Sequence, residues 1–119
     1  MEEKEHCHSR ADALLLRMFE AMAWKIQEFP IPYINEAKDN LVRFKREHPE
    51  AMRYWLKWEI LLNGPLEDLL AFMVSDTEEA KSARQAAPYT NVLLQRERLQ
   101  IIKDFSMEWE NRHRKESRE

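Results

Sequence analysis

At 119 residues and 14.4 kDa the chain has room for one domain. Its one glycine excludes β-sandwiches and barrels, which need glycine at turns and bulges, and the glycine-rich loops of phosphate and dinucleotide sites. Nineteen basic against 22 acidic residues give a net charge of −3, too balanced for wholesale binding to nucleic acid or an anionic membrane.

Residues 1–8 are polar and read as a flexible N-terminus. They contain His6-Cys7-His8, the one cluster of familiar metal ligands. Adjacent side chains rarely converge on a single ion, so neither a metal site nor a cofactor is expected. Cys7 is the one cysteine, which excludes an internal disulfide and suits a reducing compartment. With no apolar leader and no apolar run near the ~20 residues of a membrane span, the chain is expected to be cytoplasmic and to have no membrane partner.

Ser9 can cap a first helix, with Asp12 three residues on. Leu15, Met18, Phe19, Met22 and Ile26 then recur at helical spacing, and Leu14, Leu16, Ala23 and Trp24 widen the apolar face. Pro30 and Pro32 are expected to end this helix. A second helix is predicted from about 33–35, carrying the narrow stripe Ile34, Ala37, Leu41 and Phe44, and breaking at His48-Pro49.

The third is richest in bulk, with Met52, Tyr54, Trp55, Leu56, Trp58, Ile60, Leu61 and Leu62, and reads as the central helix. Asn63-Gly64-Pro65 stops it, with Gly64 expected in a left-handed turn. Leu66, Leu69, Leu70 and Met73 mark a short fourth helix. Ser75 and Glu78 form a capping box for a fifth, whose Ala80, Ala83 and Ala87 leave one face small. Pro88 closes it, and Thr90 or Asn91 caps a last helix with Leu94, Leu99, Ile101, Ile102, Phe105 and Trp109 on its face. The fold expected is all-α, a compact single-domain bundle of five or six helices over 9–110, followed by a charged tail at 111–119.

Two short motifs carry resemblances. Arg43-Phe44-Lys45-Arg46-Glu47-His48 resembles the Arg-x(4–6)-His element of HEPN-type helical ribonucleases, which implies phosphate binding by Arg43 and proton transfer by His48. The family has Asn, Asp or His directly after the arginine, where this chain has Phe44. Leu94-Gln95-Arg96-Glu97-Arg98 resembles the opening of a LuxR-like helix-turn-helix, but the apolar spacing runs on through Ile101, Phe105 and Trp109 without the turn such a motif needs. The serines lack a glycine elbow, so nucleophilic catalysis has no support.

Charge is segregated locally. Lys38, Arg43, Lys45, Arg46, Arg53 and Lys57 make 38–57 basic, 59–79 holds six acids and no base, and 81–103 is basic again. Arg43, Arg46, Arg53 and Lys57 are the candidate phosphate-binding residues, on a basic groove expected between the second, third and last helices. Four tryptophans and six methionines suit a binding face as well as a core. Leu15, Met18, Met22, Trp24, Trp55 and Trp58 are the candidate interface residues. Trp55 and Trp58, three apart, are not expected to share one small core. The function expected is a non-catalytic helical interaction or regulatory module, a homodimer or the partner of another protein. A nucleic-acid-associated regulator and a small HEPN-like ribonuclease are the alternatives.

Overall fold

A computed structural model describes residues 9–118 and their side chains through His113. They form α1 (Arg10–Glu28), α2 (Pro30–Glu47), a 3-10 turn (Pro49–Ala51), α3 (Met52–Leu62), α4 (Leu66–Met73), α5 (Glu78–Gln85) and α6 (Gln95–Arg118). No strand occurs among the described residues, and the fold is all-α as the composition implies. The charged end of the chain, 111–118, continues α6 as helix.

Ser9 caps α1, its Oγ accepting from the Asp12 amide at 3.0 Å. The first helix stops at Glu28, just before Pro30, as expected, but Pro30 and Pro32 also open the second, which starts earlier than 33–35. Only Phe29 stands between α1 and α2, and both prolines lie in the first turn of α2. First-turn amides have no acceptor within the helix, so a proline there forfeits no bond. The fifth helix is capped by Thr77, whose Oγ1 accepts from the Ala80 amide at 3.1 Å, and not by Ser75. Ser75 sits two residues outside, its hydroxyl accepting from the Thr77 amide.

The helix ends are closed in an unexpected way. Gly64 is not left-handed, and no described residue has a positive φ. Left-handed C-caps are thus absent from the described chain, and side-chain donors take their place. Trp55 Nε1 donates to the carbonyl of His48 at the end of α2, at 2.9 Å. Asn63 Nδ2 donates to Glu59 O at the end of α3, at 2.8 Å. Arg84 Nη1 donates to Met73 O and Ser75 O beyond α4, at 3.1 and 2.8 Å. Trp58 Nε1 is shared between Ala83 O and Ala86 O at the end of α5, at 3.1 and 2.9 Å. Side-chain donors thus reach the ends of four successive helices, three of them from another element; His48 O, Glu59 O and Ala83 O also accept a backbone amide, whereas for Met73 O, Ser75 O and Ala86 O the side chain is the donor. A Cβ built on Gly64 meets Ile60 O at 3.4 Å, an ordinary contact. Gly64→Ala is therefore expected to raise stability, by about 0.4–1 kcal/mol, measurable as a higher urea midpoint.

The central helix is α1, not α3: α1 packs against α2, α4, α5 and α6, while α3 meets α2, α4 and α5. Met18, Phe19, Met22, Ala23 and Ile26 are its buried stripe. Trp55 and Trp58 both reach the core. Side chains three apart differ by only about 60° around a helix, so the rings splay. Trp58 turns in toward Phe19, Phe72 and Tyr89, and Trp55 reaches back to Phe44, with ring centroids 5.3 Å apart. The rest of α3's bulk is not all internal, since Leu56 and Ile60 are exposed. Ala80 and Ala83 are fully buried, which lets α5 approach α1, α3 and α4 closely.

Between α5 and α6 the chain crosses the surface of α2 in irregular form. Asn40 on α2 is buried, and its Nδ2 donates to Pro88 O at 2.9 Å and Thr90 Oγ1 at 3.1 Å. Val92 and Leu93 enter the core from this segment. These anchors hold 88–93 out of helical conformation, so α6 starts later than Thr90 or Asn91. Leu94 O accepts the first helical bond, from the Arg98 amide, and Glu97 Oε1 reaches back to the Leu94 amide at 2.7 Å.

Candidate functional site

The last helix lies antiparallel along α1 and touches no other helix. Lys25 Nζ meets Glu97 Oε1 at 2.8 Å, and Arg17 Nη2 meets Glu108 Oε1 at 2.7 Å. Arg10 Nη2 donates to Ser106 Oγ at 2.8 Å. Phe105 is buried beneath the Arg10 and Arg17 guanidinium groups, 5.4 and 5.6 Å from its ring centroid. Two helices in contact along one seam leave grooves on either side of it, and one groove here opens into a hollow. Ala21, Trp24 and Lys25 from α1, with Leu93, Glu97, Gln100 and Ile101, border a broadly open hollow of about 440 Å³. That lies within the size range of small-molecule and side-chain pockets.

Trp24 is 65% exposed. The buried stripe of α1 fixes the core direction, and Trp24 points almost opposite to it. The ring stands at the rim of the hollow. Its floor is apolar, and the charges at its edge are paired with each other. The Lys25 ammonium and then the Leu94 amide hold the Glu97 carboxyl below the ordinary carboxylate range, and Arg17 does the same for Glu108. A carboxylate lowered by folding contributes stability that is present above its unfolded pKa, roughly 4.3 for glutamate, and is lost as pH falls through the lower folded value. Acid titration by circular dichroism is expected to loosen α6 in that window, and Glu97→Gln is expected to flatten that part of the curve.

The candidate interface residues divide. Met18, Met22, Trp55 and Trp58 are buried in the chain's own core, Leu15 is half-buried, and Trp24 is exposed. Of the candidate phosphate ligands, Arg43 lies 3.8 Å from Glu47 and over the Phe44 ring, and Lys57 lies 3.6 Å from Glu79 and over Phe72. Arg53 stacks on Tyr54, and Arg46 is exposed. The basic groove between the second, third and last helices does not form, because α6 is committed to α1 and meets neither α2 nor α3. His48 caps the C-terminus of α2, with Nδ1 3.6 Å from Glu50 and its carbonyl bonded by Trp55. Leu94 to Arg98 open a single uninterrupted helix, so no helix-turn-helix follows them.

His6-Cys7-His8 lies outside the described residues. Among the described residues no group of three His, Cys, Asp or Glu side chains could hold a metal ion, and no helix is long and apolar enough to cross a membrane. The hollow's own lining was not foreseen, Trp24 apart. Its one local signal is the Leu94–Glu97 spacing, which marks a helix start; nothing local says that Glu97 also reaches Lys25. No protein-family model matches the chain, and no curated protein or solved structure matches it either. What the fold and the hollow define is a class by architecture: an all-α bundle with an apolar recess between its first and last helices.

Proposed function

We propose that this chain is a non-catalytic helical interaction module of regulatory type that works as a homodimer. The observation that carries the reading is Trp24, 65% exposed on the outer face of the central helix and set beside an apolar hollow. A large ring left in water at the mouth of a recess is the composition of an interface centre, where tryptophan is enriched and water is excluded on binding. Phe29, Ile31, Leu99 and Met107 are exposed as well, so α1 and its neighbours offer further apolar surface.

The displaced pKa values support a non-catalytic reading, because they fall at separate structural posts. Arg84 is buried under carbonyls, Tyr89 is pushed up by burial against Phe19 and Trp58 in the core, Glu97 closes the start of α6, and Glu108 ties α6 to Arg17. Catalytic groups converge on one cleft. Light scattering or sedimentation equilibrium is expected to give a dimer at tens of micromolar. A strict monomer over that range overturns the reading.

A further inference from the structure

The one glycine of the chain follows an asparagine. The side-chain carbonyl carbon of an asparagine can be attacked by the backbone nitrogen of the next residue, closing a cyclic imide. A side chain on that next residue hinders the approach, and glycine removes the obstacle. The other asparagines precede Glu36, Leu41, Val92 and Arg112. Asn35, Asn40 and Asn111 also lie inside helices, where the following amide is committed to a helical bond. Asn91 donates its side-chain amide to Glu36 Oε2 at 2.7 Å and precedes a β-branched residue.

Asn63 and Gly64 are both exposed, at the joint between α3 and α4. A Cβ built on Gly64 meets the Ile60 and Leu61 carbonyls and no side chain, so nothing crowds the glycine from the side. In the folded chain both reacting groups are nevertheless held. Asn63 Nδ2 donates to Glu59 O at 2.8 Å, which turns the side chain back along α3. Gly64 N donates to Leu61 O at 3.2 Å. The ψ of Asn63 is 0°, so Gly64 N eclipses the Asn63 nitrogen and stands away from Cβ and Cγ. Ring closure needs rotation about that bond, which carries Gly64 N off Leu61 O, and a turn of the side chain off Glu59 O. Opening the last turn of α3 is enough for both, because the two residues are at the surface.

We propose that Asn63–Gly64 is the chain's site of spontaneous deamidation, restrained by the two bonds at the end of α3. Gly64 N forms a bond to Asn63 Cγ, the Cγ–Nδ2 bond breaks, and Nδ2 leaves as ammonia with the proton given up by Gly64 N. Water then adds at either imide carbonyl. One opening leaves aspartate at position 63. The other leaves isoaspartate, in which the main chain runs through the former side chain. Either product weakens the joint. The donor to Glu59 O is lost, and a carboxylate stands at the negative end of the α3 dipole. Isoaspartate also lengthens the main chain between Leu62 and Leu69, both buried, so α4 cannot follow without disturbing the core.

The test incubates the full chain in mildly alkaline buffer, with and without guanidinium chloride, and reads its peptides by mass spectrometry with aspartate and isoaspartate separated. Asn63 is expected to convert ahead of every other asparagine in both conditions. The folded chain is expected to react roughly tenfold more slowly than the unfolded one, the protection that two exposed hydrogen bonds provide. Gly64→Ala, expected above to be at least as stable as the unaltered chain, is expected to suppress conversion in both conditions, which separates the chemistry from the protection. The converted chain and Asn63→Asp are both expected to unfold at lower urea than the unaltered chain. Conversion of another asparagine first, or a Gly64→Ala chain that converts at the original rate, overturns the site. Equal rates with and without denaturant overturn the restraint, and an unchanged urea midpoint after conversion overturns the weakening of the joint.

Discussion

Replacing Trp58 by alanine is expected to remove most of the chain's stability. The side chain has no exposure to solvent. Its ring stacks on Phe19 from α1 and meets Phe72 from α4 and Tyr89 from the α5–α6 crossing edge-on, with centroids 6.4, 5.3 and 5.4 Å away. Truncating a ring of this size in a close-packed core costs about 3–5 kcal/mol, because the surrounding elements cannot all collapse into the space. The indole N–H adds a second loss. It is the shared donor to Ala83 O and Ala86 O; Ala83 O keeps the Ala86 amide, but Ala86 O loses this donor, and a carbonyl stripped of its partner in the interior costs about 1–3 kcal/mol. Small domains hold only about 5–15 kcal/mol in total, so the variant is expected to be unfolded or nearly so at room temperature. Trp58→Phe separates the two contributions. It keeps most of the ring and forfeits the donor, and its urea midpoint is expected to fall between those of the unaltered chain and Trp58→Ala. Equal losses in the two variants would show that ring volume plays little part.

Trp58 also marks where the sequence is legible and where it is not. Helix existence is legible because it depends on periodicity. Met18, Met22 and Ile26 repeat on one face, and Ala80 and Ala83 repeat on another, whatever they eventually touch. The Ser9 cap is legible because its partner, the Asp12 amide, is three residues away. Other helix starts moved. Pro30 was compatible with both an end and a beginning, and what decides is whether α1 can stop at Glu28 with its last carbonyls satisfied. Phe29 N does this for Lys25 O at 2.9 Å. The side-chain part of the closing of α2, α4 and α5 is hidden, because those donors come from other elements, while the backbone part is local. The one glycine, read as a stop signal, is compatible with an ordinary backbone. With so little glycine the chain relies on tertiary donors, so secondary structure and packing are set together.

The hollow was less legible than the fold for a related reason. Trp24 stands in a helix with a broad apolar face, and sequence spacing does not say which edge of that face a neighbour covers. The neighbour is α6, seventy residues away, and its position is fixed by contacts such as Phe105 beneath Arg10 and Arg17. Those residues are unremarkable in sequence. Only the packed pair shows that Ala21, Leu93 and Ile101 leave space beside the ring.

Arg84 offers the second large effect, and one of opposite chemical character. It is a buried cation on α5 with 4% exposure, and burial lowers its pKa against the raising influence of Asp76, then Asp12, then Glu20. An arginine remains charged even so, because its ordinary pKa lies above 12. The compensation is geometric: one nitrogen donates to Met73 O and Ser75 O at 3.1 and 2.8 Å, where the end of α4 presents carbonyls and the negative end of its dipole. Arg84→Met keeps the length and apolar stem while removing both bonds. Each abandoned carbonyl that stays out of reach of water costs about 1–3 kcal/mol, so the midpoint of urea unfolding is expected to drop by an amount second only to Trp58→Ala. Arg84→Lys retains the charge but replaces a planar fork with a single ammonium. It is expected to recover only part of the loss, because α4 must shift for one shorter donor to reach both carbonyls. If Arg84→Met unfolds like the unaltered chain, water replaces the guanidinium at the end of α4, and the link between α4 termination and α5 packing is severable. If Arg84→Lys alone restores full stability, the charge facing Asp76, Asp12 and Glu20 matters more than the two bonds.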